Sequence, residues 1–203
     1  MNLFFIKMNK INKRFLFLAI SLFALLPLTS CNYNKLVEKQ QTVDEAWAKV
    51  ENQYQRRADL IPNLVNTVKG YSTHESETLE KVTLARAKAT SITLEADNLT
   101  EENLAKFQAA QNELSQALKS LLAVTEAYPD LKANENFMNL QTQLEGTENR
   151  IATERMRYTE AVRDYNTEIK KFPTTIYAGW FGFEPKPQFK AEEGAQRAPE
   201  VQF

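Results

Sequence analysis

Between Asn32 and Phe172 the apolar residues recur at alternating steps of three and four, a spacing that confines the chain to long helices packed face to face. The first stripe is Leu36, Val43, Trp47, Val50, Tyr54, Ile61, Leu64, Val68 and Tyr71, with Gln40 and Arg57 filling two of its slots. Pro62 falls inside this stripe. Proline costs a helix interior about 3 kcal/mol, so a kink or a fresh start is expected near Ile61. The third segment runs Leu104, Phe107, Gln111, Leu114, Leu118, Leu121, Thr125 and Tyr128. The fourth places Phe137, Leu144, Ile151, Tyr158, Tyr165 and Phe172 seven apart, flanked by Leu140, Val162 and Ile169.

The breaks between these runs carry their own chemistry. Gly70 is followed by Ser72-Thr73-His74-Glu75, which reads as a capping box opening a second, alanine-rich helix through Leu79, Val82, Ala85 and Ala89. Ile92 to Leu99 reads as a loop. Thr100, followed by Glu101 and Glu102, suits a helix N-terminus. Pro129-Asp130 ends the third helix, Asn134 or Asn136 opens the fourth, and Pro173 stops it. Helices with one apolar face must bury it on each other, so the expectation is all-α: a long antiparallel four-helix bundle over residues 31–172. Residues 173–203 are aromatic, glycine- and proline-containing and without period. They read as an irregular tail expected to fold back on the bundle, with a membrane interface as the alternative.

Residues 1–30 differ in kind. Lys7, Lys10, Lys13 and Arg14 precede an uncharged apolar run of 14 residues, Phe15–Leu28, and no acidic residue occurs before Cys31. Spanning a bilayer takes about 20 residues, so the run is short for a permanent helix and reads as a signal peptide. Leu28-Thr29-Ser30-Cys31 resembles a lipobox, which implies cleavage between Ser30 and Cys31 and lipidation of the Cys31 thiol, the only cysteine. Several acyl chains would then hold the protein, since one alone binds marginally. The competing reading is an uncleaved N-terminal anchor. Both place the body of the chain outside the cytoplasm, in the cell envelope.

Charge and residue inventory narrow the function. Removing the four basic residues ahead of Cys31 leaves 21 Lys and Arg against 26 Asp and Glu, a net of −5. That argues against nucleic acid as a partner. His74 is the only histidine, so no triad or multi-histidine metal site can form within one chain. No glycine-rich phosphate loop or calcium loop occurs, and no catalytic residue, metal or cofactor is assigned.

Two polar intrusions stand out. Arg57 occupies a slot of the first stripe, and Glu154-Arg155 interrupt the flanking seam of the fourth. A charge facing a core has to be paired. Arg57 is therefore expected to meet Glu148 or Glu154 on the fourth helix and to fix the register of the helices.

The same residues carry a likeness. Gln55-Arg56-Arg57-Ala58-Asp59-Leu60-Ile61-Pro62-Asn63-Leu64-Val65, Leu144-Glu145-Gly146-Thr147-Glu148-Asn149-Arg150-Ile151, Tyr165-Asn166, Phe172-Pro173 and the closing Pro199-Glu200-Val201-Gln202-Phe203 resemble the LemA family. Thr159 stands where that family usually has asparagine. The resemblance implies a long-helix bundle tethered to the bacterial envelope by its N-terminus, and no established enzymatic activity. The expected function is a non-catalytic scaffold, bound to the membrane by its N-terminal anchor and to an unidentified envelope protein. An enzyme subunit or a membrane-remodelling protein is the alternative.

Overall fold

A computed structural model describes residues 10–71 and 75–190, with side chains from Tyr33 onward except Asp97. Among the described residues the chain is all-helical. The helices are α1 (Lys10–Lys69), α2 (Ser76–Ser91), α3 (Glu101–Thr125), α4 (Pro129–Lys132), α5 (Glu135–Lys170) and α6 (Thr174–Tyr177). Two 3-10 turns, Ala96–Asn98 and Gly179–Phe181, complete the set.

Cross-helix bonds fix the topology. Lys35 Nζ donates to Glu168 Oε1 at 2.8 Å, Arg57 Nη1 to Glu148 Oε1 at 2.6 Å, and Asn134 Nδ2 to the Tyr71 hydroxyl at 2.8 Å. Steps of 22 and 14 residues forward on the α1 side match steps of 20 and 14 backward on the α5 side. The two helices are antiparallel and in register over their shared length, about 54 Å for 36 residues of α5. α2 runs back along α1 and α3 runs back along α2, which gives an up-down-up-down bundle.

Local chemistry accounts for the ends. Thr100 caps α3, its hydroxyl accepting from the Asn103 amide at 3.2 Å, and Asn134 caps α5 by accepting from Phe137 N at 3.0 Å. Glu75, expected at the third position of a helix capped by Ser72, stands instead at the N-cap of α2. α2 begins at Ser76 with no side-chain cap, while Glu75 Oε1 accepts from the Tyr128 hydroxyl at 3.2 Å. Ser72, Thr73 and His74 lie outside the described residues.

The break expected near Ile61 does not occur either. α1 continues through Pro62 to Lys69. Pro62 has no amide to give the carbonyl four residues back, Ala58 O. Arg86 of α2 supplies the missing donor, its Nε reaching Ala58 O at 2.7 Å. Pro62 itself is exposed, so its ring meets water rather than a neighbouring helix.

The core is in two parts. One cluster runs from Leu36 to Tyr54 on α1, with Leu94, Leu99, Leu104 and Phe107, then Ile151 to Ile169 on α5 and Tyr177, Ala178 and Phe183 of the C-terminal segment. The other joins Ile61, Leu64 and Val68 to α2, to Leu114, Leu118 and Leu121 of α3, to Leu131, and to Phe137 and Leu144. Two expected stripe members fall outside both. Tyr71 lies beyond the end of α1 and Phe172 beyond the end of α5, so neither is held on the helical face its spacing implied, and both are exposed.

The C-terminal segment returns along the bundle. Gly182, at φ 77°, closes the last 3-10 turn in a left-handed conformation, and Phe183 N then bonds back to Ala178 O at 3.0 Å. From there the chain is extended. Asn166 brackets Lys186 by two bonds, donating to its carbonyl at 2.8 Å and accepting from its amide at 2.9 Å. Tyr158 donates to Pro187 O at 2.9 Å, and Gln108 to Lys190 O at 2.8 Å.

Candidate functional site

The gap between the two cores is polar, and among the described residues it holds the one buried arginine, Arg57; the other buried charge, Glu168, lies nearer the start of the bundle. On α1 the gap lies between Tyr54 and Ile61, on α3 between Phe107 and Leu114, and on α5 between Leu144 and Ile151. Each helix therefore gives up one heptad layer at the same height. The layer consists of Arg57, Gln111, Ser115, Thr147 and Glu148.

Arg57 is 1% exposed and reaches three partners. Nη1 donates to Ser115 Oγ at 2.8 Å and to Glu148 Oε1 at 2.6 Å, and Nη2 donates to Gln111 Oε1 at 2.5 Å. The guanidinium also lies 5.2 Å from the centre of the Tyr54 ring. Gln111 passes the link on, its Nε2 donating to Ala89 O at 3.4 Å. All four helices are thereby tied at one level. The Glu148 side chain is 45% exposed, so the positive member is sealed while the negative one meets solvent.

The sequence-predicted residues separate here. Arg57 and Glu148 are together. Glu154 is not with them: it accepts from Arg157 Nη1 at 2.7 Å on its own helix. Arg155 turns to the C-terminal segment, its guanidinium 4.4 Å from the Phe189 ring centre. Gln111 was visible as a polar slot in the α3 stripe. Ser115 and the docking of Phe189 carried no comparable signal. Ser30 and Cys31 belong to the backbone of α1, and their side chains lie outside the described ones.

A second centre is aromatic. Trp47 meets Phe107 at 5.7 Å and Tyr158 at 5.4 Å edge to face, and Phe189 closes over Trp47 at 6.1 Å and Tyr158 at 5.5 Å. The Trp47 indole donates to Leu94 O at 2.9 Å, which fixes the α2–α3 loop to α1. Burial raises the pKa of Tyr158, with the Asp44 charge adding to the effect, and pushes Tyr165 up to about 12 for the same reasons. These phenols stay neutral at physiological pH and serve packing rather than proton transfer.

Among the described residues no group of three or more His, Cys, Asp or Glu is placed to hold a metal. An open groove of about 580 Å³ lies between α3, α5 and the returning segment, lined by Glu101, Gln108, Arg163, Asn166, Lys170 and Lys190. Its charges are dispersed rather than convergent. No helix of the residues with described side chains is long and apolar enough to cross a membrane, a statement that does not extend to residues 1–32.

Fold and layer together define a long helical bundle organised around one buried arginine and closed by its own C-terminal segment. The chain belongs to the LemA family, whose defining pattern matches residues 46–203. It is 24% identical over 147 residues to Protein LemA of Metamycoplasma hominis, covering 72% of this chain and 60% of that protein. The match thus spans less than two thirds of that relative. It is 27% identical over 188 residues to Magnetosome protein MamQ 2 of Paramagnetospirillum magneticum, covering 84% of this chain and 69% of the relative. Similarity to Magnetosome protein MamQ of Magnetospirillum gryphiswaldense is 25% over 182 residues, covering 81% and 67%.

Proposed function

We propose that this chain is a non-catalytic scaffold of the bacterial envelope, attached to a membrane by its N-terminal segment and presenting its bundle to a protein partner. The observation that carries this reading is α1. The apolar run Phe15–Leu28 and the first face of the bundle belong to one 60-residue helix. An anchor in that run is coupled to the body without an intervening linker. Family membership and relatives named as magnetosome proteins support an envelope role. Among the described residues the buried polar groups tie helices together, and none is arranged as an acid, base or nucleophile.

Attachment by lipid on Cys31, after cleavage at Ser30, is the finer form of this proposal. The continuity of α1 through those two residues supports a second form, an uncleaved helical anchor. Mass spectrometry of the mature N-terminus separates them: acyl mass on a terminal Cys31 establishes the lipoprotein, and an intact leader replaces it with the anchor. Crosslinking at native expression level tests the scaffold. A reproducible envelope partner is expected, and the absence of any partner overturns it.

A further inference from the structure

Among the described residues, six of the ten exposed large hydrophobics lie at one end of the bundle: Tyr33, Val37, Phe172, Ile176, Trp180 and Phe181. Trp180 is 82% exposed, Phe172 80%, Phe181 59% and Ile176 53%. They are not a loose tail. Tyr33 meets Phe181 at 5.2 Å and Phe183 at 5.5 Å, Tyr177 meets Phe181 at 6.2 Å, and buried Tyr177 and Phe183 hold the segment on the core. The exposed rings are displayed by a fixed platform.

That end is where α1 enters the bundle. Tyr33 lies five residues after Leu28, the last residue of the uncharged apolar run, on the same helix. At 1.5 Å per residue the separation along the axis is about 7 Å. Lys35, Lys170 and Lys171 stand at the same level, and two of them bond Glu168. Aromatic rings with a cationic fringe, a few ångströms from the end of an apolar anchor, match the composition of a membrane–water interface, where Trp and Tyr collect and Lys reaches headgroups.

We propose that this aromatic platform is a second membrane contact, seated in the headgroup region of the bilayer that holds the N-terminus. It rests on the anchored reading above and adds to it. A single anchor leaves a body free to tilt, whereas two contacts on either side of the α1 entry point set its angle. The long axis of the bundle then stands away from the membrane, with the Tyr71–Asn134 end outermost.

The full chain reconstituted in phosphatidylethanolamine–phosphatidylglycerol vesicles provides the test. Flotation with the vesicles reads anchoring. Quenching of tryptophan emission by lipids spin-labelled near the headgroup reads docking, because Trp47 is buried and Trp180 is the exposed indole. Expected are flotation, a blue-shifted emission, and quenching that disappears in Trp180→Ser while flotation persists. Flotation with Trp180 still open to aqueous acrylamide overturns the docking and leaves anchoring intact. Failure to float overturns both. Protection of Trp180 that vanishes when the protein is diluted across more vesicles assigns the platform to a second copy of the chain, and overturns the proposal. Phe172→Ser with Ile176→Ser, at exposed positions, is expected to weaken the quenching without altering the melting temperature.

Discussion

The Nε of Arg86 lies 2.7 Å from the carbonyl of Ala58, the acceptor that Pro62 leaves without its helical partner. A proline is therefore tolerated inside α1 because a neighbouring helix replaces the donor it lacks. Leaving a buried carbonyl unsatisfied costs about 1–3 kcal/mol. Arg86→Met is expected to lose stability in that range. In a Pro62→Ala background, where the amide at position 62 returns, the same change is expected to cost much less. Chemical denaturation of the four members of this cycle measures the coupling, and equal costs in both backgrounds refute the substitution of donors.

The polar layer has a sign asymmetry that can be read by mutation. Removing one partner of a buried pair is costly because it strands the other charge, while replacing the whole pair by hydrophobes of similar size is often neutral. Glu148→Leu leaves Arg57 charged and sealed. It is expected to destabilise by about 1–3 kcal/mol, below the usual range for buried pairs because the Glu148 side chain is 45% exposed. Arg57→Met removes the sealed charge itself and is expected to cost less than Glu148→Leu, since Glu148 can turn to water. The remaining loss is the buried Gln111 side chain left without its donor. Thermal melts decide this, and the reverse order would show that the layer is not organised around Arg57.

Acid is expected to loosen the anchor end first. A hydrogen bond from Lys35, helped by Lys171, holds the Glu168 carboxyl below its ordinary value of 4.5 against the opposing effect of burial. A lowered folded value means stability that is present above the unfolded value and lost as pH falls through the folded one. Unfolding free energy should therefore decline below about pH 4.5. Lys35→Met should flatten that decline. An unchanged acid limb in the variant would remove Glu168 as its source.

Alkali acts through the tyrosines with the opposite sense. Tyr165 titrates at about 12 in the folded chain, and an exposed tyrosine at about 10. Its contribution is complete below the unfolded value and is lost as pH rises toward the folded one. Tyrosinate absorbance should lag in the folded protein and rise together with loss of helix. A titration that proceeds fully while the helix signal stays intact would contradict the burial of these rings.

Gly182 is the remaining lever. Its φ of 77° is a left-handed conformation that disfavours a side chain, although nothing lies within 4 Å of where a Cβ would sit. Gly182→Ala is expected to cost about 1 kcal/mol from backbone strain alone. Denaturation curves check the value, and no loss at all would mean that the turn relaxes into another shape.

The long helices and their bundling were legible in the sequence because the apolar spacing persists over many turns despite a few polar slots. A charge set in an apolar stripe pointed Arg57 to the fourth helix, with Glu148 and Glu154 both open; the bond is made to Glu148. Glu154 was misplaced for a local reason. Arg157 lies three residues away on the same helix and bonds the Glu154 Oε1 at 2.7 Å. Pro62 misled because helix rules count only donors within the helix, and the compensating arginine belongs to another segment. The docking of Phe189 on Trp47 joins residues more than a hundred positions apart, and its contact with Tyr158 is made by a stretch with no period. Nothing in the local sequence announces it.

The division of the core into two has a consequence for the order of assembly. The cluster far from the anchor is complete once residue 144 has been made. The cluster near the anchor needs Tyr177, Phe183 and the flanking Phe189, which are made more than thirty residues later. During synthesis the outer half can therefore close while the half adjoining the N-terminus still waits for its final pieces. The segment that completes that half also carries Trp180 and Phe181, so a truncated chain would leave the inner core open and lack the rings that stand beside it.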